Sequence, residues 1–599
     1  MKTRLLSRLT QLVLVVCALS VGGSALDRDA FTFVSYDLHA HVDPGVRGFS
    51  AEGKITLRND SQSPQKNLSL QVSSTLDWKS IRVAGRDVLF STQPYQSDVD
   101  HTGVVNEAVV TLSAPVQPQQ TIEVEVSYEG EIPADSTRLT RIGTPEAVAL
   151  GNDWDRISAE FSAVRGVGYV CWYPVSMEPA NLSEGNRYFD VIGEWKRRNA
   201  NASMKLRLES VGAGTLISNG QLLSTTAHEG IGSQQGSTRE SVFSFNPIGE
   251  FPPTFAVADF ANLDRPAVTV SYVPDHKAAA EEFVLDTEKI LPDLTDWFGP
   301  ARERIRVVEL ADPNSMPFDS GAMVFTPLRT SDTKRVEVQM AHPIAHACLP
   351  STSRLWIGEG LAQFAQALTR ERQDGRKAAL AWMNAYIAAL VSAEEQALAG
   401  LKAGETETKD TQPAAPSASL SRTGESLVKA TDPAFYNIKA MFVWWMLRDI
   451  VGDEALQRAV RAYDPAKDKE PATMQRLIEA QSKRDLEWFF DSWVYRDRGL
   501  PDFRVESAFS RPLLASGDAS PKPPVVITVT VENIGNAGAE VPIVVHTGMG
   551  DVTARVVVNG KSKAVQRIQA PADPVSITVN DGSVPEANIT NNTFKFQAK

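Results

Sequence analysis

The sequence predicts a multidomain α+β protein in which an N-terminal antiparallel β domain precedes a mostly helical domain and a small β-sandwich ends the chain. Four observations support this prediction. Apolar and polar residues alternate between residues 31 and 262, which is typical of half-buried strands. Apolar residues recur at helical spacing from about residue 340 to residue 500. Alternation returns after Pro523, and a chain of 599 residues is too long for a single core.

Residues 1–25 have the features of a secretory signal peptide. Lys2, Arg4 and Arg8 form a basic segment, an apolar run follows, and Gly23-Ser-Ala25 offers small residues for cleavage. The apolar run is short for a membrane span. We therefore expect the protein to be exported, to the periplasm or the cell exterior, and the mature protein to contain no membrane span.

The three domains follow from these patterns in order. The N-terminal β domain is expected at residues 27–263, and the helical domain at residues 264–505. Residues 402–424 are poor in apolar side chains and rich in Pro, Ser and Thr, which predicts a flexible insert. Residues 520–599 contain short alternating runs separated by regular turn signals, which is typical of an immunoglobulin-like β-sandwich.

Charge and cysteine content limit the classes of function. The net charge of −13 argues against a nucleic-acid partner, because no basic excess is present to replace phosphate counterions. The chain beyond the signal segment contains only Cys171 and Cys348. A disulfide between them and two separately buried thiols are both open alternatives.

The segment His342-Pro-Ile-Ala-His346 carries a candidate metal site. Histidines four residues apart lie on one face of a helix, so both rings can reach one ion. A catalytic zinc site needs a third protein ligand, and Glu359 could supply it from the next helix. A chain with eight histidines can contain such a pair by chance. The alternative is therefore one solvated histidine and one buried, hydrogen-bonded histidine.

The order of motifs resembles the aminopeptidase N-like family of zinc metallopeptidases (membrane alanyl aminopeptidase-type), the gluzincins. The family hallmarks G-A-M-E-N, H-E-x-x-H and W-x-x-E-G correspond here to Gly321-Ala-Met-Val-Phe325, His342-Pro-Ile-Ala-His346 and Trp356-Ile-Gly-Glu-Gly360, and Phe435-Tyr-Asn follows them. The resemblance covers most of residues 30–505.

This resemblance implies a β saddle, a thermolysin-like catalytic domain and a β-sandwich, with a peptide or protein as substrate or ligand. It also implies Zn²⁺ as the cofactor. The implied functional residues are the metal ligands His342, His346 and Glu359, the catalytic residue Tyr436, and the substrate-binding residues Gly321, Ala322 and Met323.

Two residues depart from the family pattern. Pro343 replaces the Glu that takes a proton from the attacking water, and Val324 replaces the Glu that binds the substrate's amino terminus. Proline is favoured in the first turn of a helix, which predicts that the helix begins at Pro343 with His342 near the N-cap. Glu337, the nearest other carboxylate, is expected on the preceding strand.

Two functions are consistent with this pattern. The first is a zinc peptidase whose hydrolysis is weak or redirected. The second is a non-catalytic protein that binds peptides or partner proteins in the former cleft, because a fold does not fix a function once the site residues change. A serine hydrolase is disfavoured because the chain has no G-x-S-x-G segment.

Overall fold

A computed structural model describes residues 26–228, 237–328, 332–407, 426–496, 498–513 and 524–596. The predicted signal segment, residues 1–25, lies outside the described residues. Most of the predicted insert, residues 408–424, also lies outside them. Residues 402–407 belong to the helix Ile387–Glu407, so this helix extends into the segment that was predicted as a linker.

The alternating residues of the N-terminal third form three sheets. Their strand orders are β12-β13-β10-β1-β2-β8-β4-β5, β3-β7-β6 and β11-β14-β9. The strands are β1 (Phe31–Asp43), β2 (Gly48–Asn59), β3 (Gln65–Ser73), β4 (Leu76–Val83), β5 (Arg86–Asp87), β6 (Leu89–Gln96), β7 (Val104–Val116), β8 (Thr121–Glu131), β9 (Ser162–Val164), β10 (Ser203–Val211), β11 (Thr215–Ser218), β12 (Gln221–His228), β13 (Thr238–Phe245) and β14 (Phe255–Ala258).

The prediction of a purely antiparallel N-terminal domain is wrong at one position, because β1 and β10 pair in parallel. Parallel strands cannot be joined by a tight turn. They need a longer crossover connection, which usually contains a helix. Here the helix α3 (Asn186–Asn199) comes directly before β10. Two shorter helices precede it, α1 (Thr137–Thr140) and α2 (Glu146–Asn152).

The middle of the chain begins with a five-stranded mixed sheet of order β15-β16-β17-β19-β18. The strands β16, β17 and β19 are parallel, whereas the edge strand β18 is antiparallel to β19. The five strands are β15 (Ala261–Asp264), β16 (Val268–Tyr272), β17 (Ile305–Glu309), β18 (Phe318–Ser320) and β19 (Met323–Thr326).

Helices cover this sheet and build the largest core cluster. They are α4 (Lys277–Phe298), α5 (Thr333–Cys348), α6 (Leu355–Asp374), α7 (Arg376–Asn384), α8 (Ile387–Glu407), α9 (Ala440–Val451), α10 (Asp453–Arg461), α11 (Thr473–Ser482) and α12 (Glu487–Phe490), with π-helical turns at Ala434–Lys439 and Asp491–Tyr495. In the described part of the chain, every helix is too short or too polar to cross a membrane.

The C-terminal strands form two facing sheets of order β20-β21-β24 and β23-β22-β25-β26. They are β20 (Phe503–Pro512), β21 (Val525–Asn533), β22 (Ala539–Thr547), β23 (Gly550–Val558), β24 (Ser562–Ala570), β25 (Pro574–Val579) and β26 (Thr593–Lys595). The strand β20 therefore joins this unit from before residue 520. The inner faces share the core of the helices, where Trp493 Nε1 donates to the Gly538 carbonyl at 2.7 Å.

Both cysteines of the described chain are free thiols. Cys171 and Cys348 are buried, and no disulfide joins them. Cys171 packs in the core of the N-terminal unit, whereas Cys348 packs in the core of the helical unit. Burial raises the pKa of Cys348 to about 11, so its thiol stays protonated near neutral pH. Of the two alternatives, the structure contains the separately buried thiols.

A close approach between α6 and α9 holds Glu359 in place and gives a first prediction. A Cβ on Gly360 would lie 2.7 Å from the Ala440 Cβ and 3.0 Å from Trp444 Nε1, which donates to the Trp356 carbonyl at 3.0 Å. Replacement of Gly360 by alanine should therefore destabilise the protein by about 1–3 kcal/mol through overpacking. Urea denaturation measures this change.

The matched control lies in the same helix. A Cβ on Gly358 would meet only the Thr352 methyl at 3.3 Å. Gly358→Ala should therefore be neutral, or stabilising by up to about 1 kcal/mol through its higher helix propensity. Equal loss of stability in both variants would contradict the close approach.

Candidate metal centre

The helix α5 carries both histidines in its interior. Its N-cap is Asp332, whose side chain accepts a hydrogen bond from the Arg335 amide at 3.1 Å, and the helix runs from Thr333 through Pro343 to Cys348. The prediction that Pro343 begins the helix is therefore wrong. Proline inside a helix costs about 3 kcal/mol or more. Here ten residues of α5 are buried, and this burial outweighs the local preference.

The interior position aims both imidazoles at one point. The ring centroids of His342 and His346 lie 4.9 Å apart. Glu359 reaches the same point: its Oε2 is 3.4 Å from His342 Nε2, and its Oε1 is 3.2 Å from His346 Nε2. One ligand atom from each of these three residues lies within 4.8 Å of the others. The structure thus brings the three predicted metal ligands together.

The turn between α5 and α6 sets the position of Glu359. The chain leaves the helical conformation at Leu349, the C-cap of α5, and α6 begins at Leu355. The turn is held at Arg354, whose Nε and Nη2 donate to the two carboxylate oxygens of Asp468 at 3.1 and 3.3 Å. This short turn brings α6 into contact with α5 and places Glu359 opposite His342 and His346.

The imidazoles and carboxylates of the site shift one another's pKa values towards the charged forms. Burial works against the ionised form of Glu359, but the imidazoles of His346 and His342 outweigh it and hold the pKa of this carboxyl well below its usual value. Burial also works against a protonated His342, yet Asp319 and Glu359 raise the pKa of this ring above its usual value. The carboxylate of Glu359 is therefore ionised at neutral pH, as a metal ligand requires.

Two further residues surround the histidines, and neither belongs to the motif that contains them. Asp319, on the edge strand β18, places its Oδ2 3.4 Å from His342 Nδ1. Phe251, from the N-terminal unit, packs edge-on against His346 with 5.7 Å between ring centroids. The sequence signal for Asp319 was its position two residues before Gly321, in the strand that precedes the recognised motif.

The predicted substrate-binding residues lie away from the wall of the cavity beside the histidines. Ala322, Met323 and Val324 are buried in the core, and none of them lines the cavity beside the histidines. Gly321 adopts a φ of 63°, a conformation that favours glycine, and a Cβ there would face the Phe251 ring at 3.5 Å. Asp319, on the neighbouring strand β18, is the cross-strand partner of Val324.

A cavity of about 1570 Å³ lies beside the three candidate ligands, and His342, Glu359, Asp319 and Tyr436 line it. This volume exceeds the roughly 300–1000 Å³ of small-molecule pockets. Tyr436 lies in the π-helical turn Ala434–Lys439. Burial, with help from the Glu359 carboxylate, raises the pKa of Tyr436, so its hydroxyl remains protonated and able to donate a hydrogen bond.

Glu337 lies outside the candidate metal site. It lies on α5 rather than on a strand, which corrects the prediction. Its carboxylate pairs with Lys289 and accepts a hydrogen bond from Gln373 Nε2 at 2.7 Å. The helical period places it away from the face that carries His342 and His346.

No model of a known protein family matches the chain, and no curated protein matches it. Among solved structures, the chain is similar to the M1 zinc metallopeptidase of Deinococcus radiodurans, with 15% identity and a TM-score of 0.46 over 79% of this chain and 96% of that chain. It is also similar to a mutant of that peptidase bound to the substrate Tyr-Ser-Ala (16% identity, TM-score 0.46, 80% and 96% covered). A third similar structure is a two-domain M1 zinc metallopeptidase mutant bound to L-arginine (18% identity, TM-score 0.46, 78% and 94% covered).

Proposed function

We propose that this protein binds one zinc ion through His342, His346 and Glu359 and acts on peptides in the adjoining cavity, with weak or redirected hydrolysis. The convergence of these three side chains carries the proposal. Ligand distances of about 2.0–2.1 Å place two ligands of a tetrahedral zinc site about 3.3 Å apart. The two separations from Glu359, 3.4 and 3.2 Å, agree with that value. His346 Nε2 is buried and has no hydrogen-bond partner among the described residues, so an ion would satisfy it.

The residues around the ligands explain why hydrolysis should be weak. A bound zinc ion supplies Lewis-acid polarisation of a carbonyl and lowers the pKa of water. Tyr436 can donate a hydrogen bond to an oxygen that gains negative charge. Pro343, however, cannot take a proton from the attacking water, and general-base assistance is worth about 10²–10⁴-fold. The buried Val324 cannot pair with a substrate ammonium.

The second candidate is peptide binding without cleavage. The observation that favours it is Pro343 itself, which occupies the helix interior next to His342 and carries no acidic group. The two candidates are separated by incubating the zinc-loaded protein with a library of short peptides and following cleavage by mass spectrometry. We expect slow cleavage that His346→Ala abolishes. Peptide binding with no cleavage would instead support the second candidate.

We also propose that the protein is exported after removal of residues 1–25. Expression of the full chain in a bacterial host, followed by N-terminal sequencing of the protein in each compartment, tests this. A mature protein that retains Met1 would contradict it.

Asp319 should tune the affinity of the metal site. Its carboxylate lies beside His342 Nδ1, while Nε2 of the same ring faces Glu359. A carboxylate behind a ligating histidine fixes the orientation of the ring, and its loss typically costs 10–100-fold in metal affinity. Asp319→Asn should therefore raise the dissociation constant for zinc by about 10–100-fold in a competition titration.

The control for Asp319→Asn is Asp374→Asn, which removes another carboxylate from the cavity wall. Asp374 pairs with Lys334 and with Arg370, not with a histidine. Its replacement should leave the zinc affinity unchanged. Equal zinc affinities in all three proteins would exclude the orienting role of Asp319.

A further inference from the structure

One wall of the cavity comes from helix α3 of the N-terminal unit. Six residues of this helix line the cavity, and their spacing of three, four and one places them on one face: Tyr188, Phe189, Ile192, Gly193, Lys196 and Arg197. The helix ends at Asn199, so the two cations occupy its last turns. Along this face of the helix, the apolar residues are therefore followed by two positively charged residues.

This wall is fixed rigidly against the helical unit. A Cβ on Gly193 would lie 2.4 Å from the Thr431 Cβ, which shows how closely the two segments approach. Thr431 Oγ1 donates to Asp190 Oδ1 at 2.8 Å, and Asn186 Nδ2 donates to the Ala393 carbonyl at 3.1 Å. The position of Lys196 relative to α5 and α6 is therefore set by packing at several points.

Stabilisation of the helix end does not account for both cations. Basic residues near a helix C-terminus are favoured by the helix dipole, and Arg198 fits that explanation, because it pairs with Asp29 at 2.8 Å. Lys196 and Arg197 differ from it. They face the cavity, and neither has a hydrogen bond or an ion pair with any described residue.

Lys196 is the more informative of the two because it is half-buried, whereas Arg197 is exposed. Burial lowers the pKa of Lys196, and the carboxylates of Glu250 and Glu359 oppose this change. Its ammonium therefore lies near Glu250 and Glu359, but it has no hydrogen bond or ion pair with either carboxylate. A partly desolvated ammonium without a partner gains free energy when an anion pairs with it.

The other cations of the cavity are in different situations. Arg354 pairs with Asp468, and Lys334 and Arg370 both pair with Asp374. Arg335 and Lys429 are unpaired among the described residues but exposed, so water already solvates them. Lys196 is thus the half-buried, unpaired cation on the cavity wall near the metal ligands.

We propose that Lys196, with Arg197 beside it, binds a carboxylate of the peptide substrate. The inference rests on the proposed function and specifies its substrate class: short peptides held by an acidic group rather than by their amino terminus. Such binding would redirect the protein from peptides held by their ammonium group to peptides held by a carboxylate. The buried Val324 offers no charge for an ammonium, whereas Lys196 offers one for a carboxylate. The carboxylate could come from the C-terminus or from an acidic side chain.

The test compares three peptides by calorimetry on the zinc-loaded protein at low salt. They are Ala-Leu-Ala-Ala as the free acid, the same peptide as the C-terminal amide, and Ala-Leu-Glu-Ala as the amide. A charge-assisted hydrogen bond is worth about 10- to 100-fold in affinity. The free acid should bind about 10- to 100-fold more tightly than its amide if the C-terminus is the recognised group. If the side chain is recognised, the glutamate amide should show this gain.

Variants then assign the effect to Lys196. Lys196→Met keeps the length of the side chain and should remove the advantage of the carboxylate peptide, whereas Lys196→Arg should retain it. Lys429→Met removes one positive charge from another wall of the same cavity and should have no effect. Equal binding of all three peptides to the wild type, or an equal loss in Lys196→Met and Lys429→Met, would overturn the inference. Failure of every peptide to bind would overturn the proposed function with it.

Discussion

Pro343→Glu should raise the rate of peptide hydrolysis by the zinc-loaded protein by about 10²–10⁴-fold, the value of general-base assistance. The expected gain is large because the other parts of the site are in place. His342, His346 and Glu359 converge on one point, and Tyr436 lines the same cavity. The substitution also restores a backbone N–H inside α5, and glutamate is a far better helix former than proline. The folded state should therefore tolerate it.

The control for this prediction is Pro343→Gln. Glutamine has nearly the shape of glutamate and restores the same backbone donor, but it cannot accept a proton from water. Steady-state kinetics on one peptide should show a gain for Pro343→Glu and none for Pro343→Gln. An equal gain in both variants would show that relief of the helix, not the carboxylate, was responsible. No gain in a Pro343→Glu variant that binds zinc would show that a carboxylate at this position is not sufficient for hydrolysis.

Zinc should stabilise the wild-type protein, and His346→Ala should remove that effect. A ligand at about 100 times its dissociation constant stabilises the folded state by about 2.7 kcal/mol. His346→Ala removes one of the three proposed ligands, which would leave an incomplete site for a metal that prefers four-coordination. The expected result is a clear rise in the unfolding midpoint of the wild type with zinc and almost none for the variant.

His228→Ala serves as the matched control, because His228 is exposed on strand β12 and does not line the cavity. Its midpoint should rise with zinc as in the wild type. A rise of similar size in His346→Ala would mean that zinc binds elsewhere on the protein.

Sequence patterns predicted the parts of the protein that depend on periodicity. Alternation located the strands β1 and β2, and helical spacing located the helices that bury Trp356 and Trp444. The spacing of His342 and His346 was sufficient to place two imidazoles on one face, because a helix returns to that face every fourth residue. For these elements, the local spacing of residues was sufficient for the prediction.

The remaining features depended on contacts between segments that are distant in sequence. Pro343 lies in the helix interior because burial of α5 outweighs a local preference for the first turn. Asp319 reaches His342 only because β18 pairs with β19 at the sheet edge. Lys196 lines the cavity because α3 of the N-terminal unit packs against Thr431. No motif centred on the histidines contains these residues.

The proposed function depends on zinc binding by His342, His346 and Glu359. The most direct test is the zinc content of the purified, folded protein, measured by mass spectrometry after dialysis against zinc and then against buffer. We predict one zinc ion per chain in the wild type and none in the His342→Ala, His346→Ala double variant. A folded wild-type protein that retains no zinc, or a double variant that retains as much as the wild type, would contradict the claim.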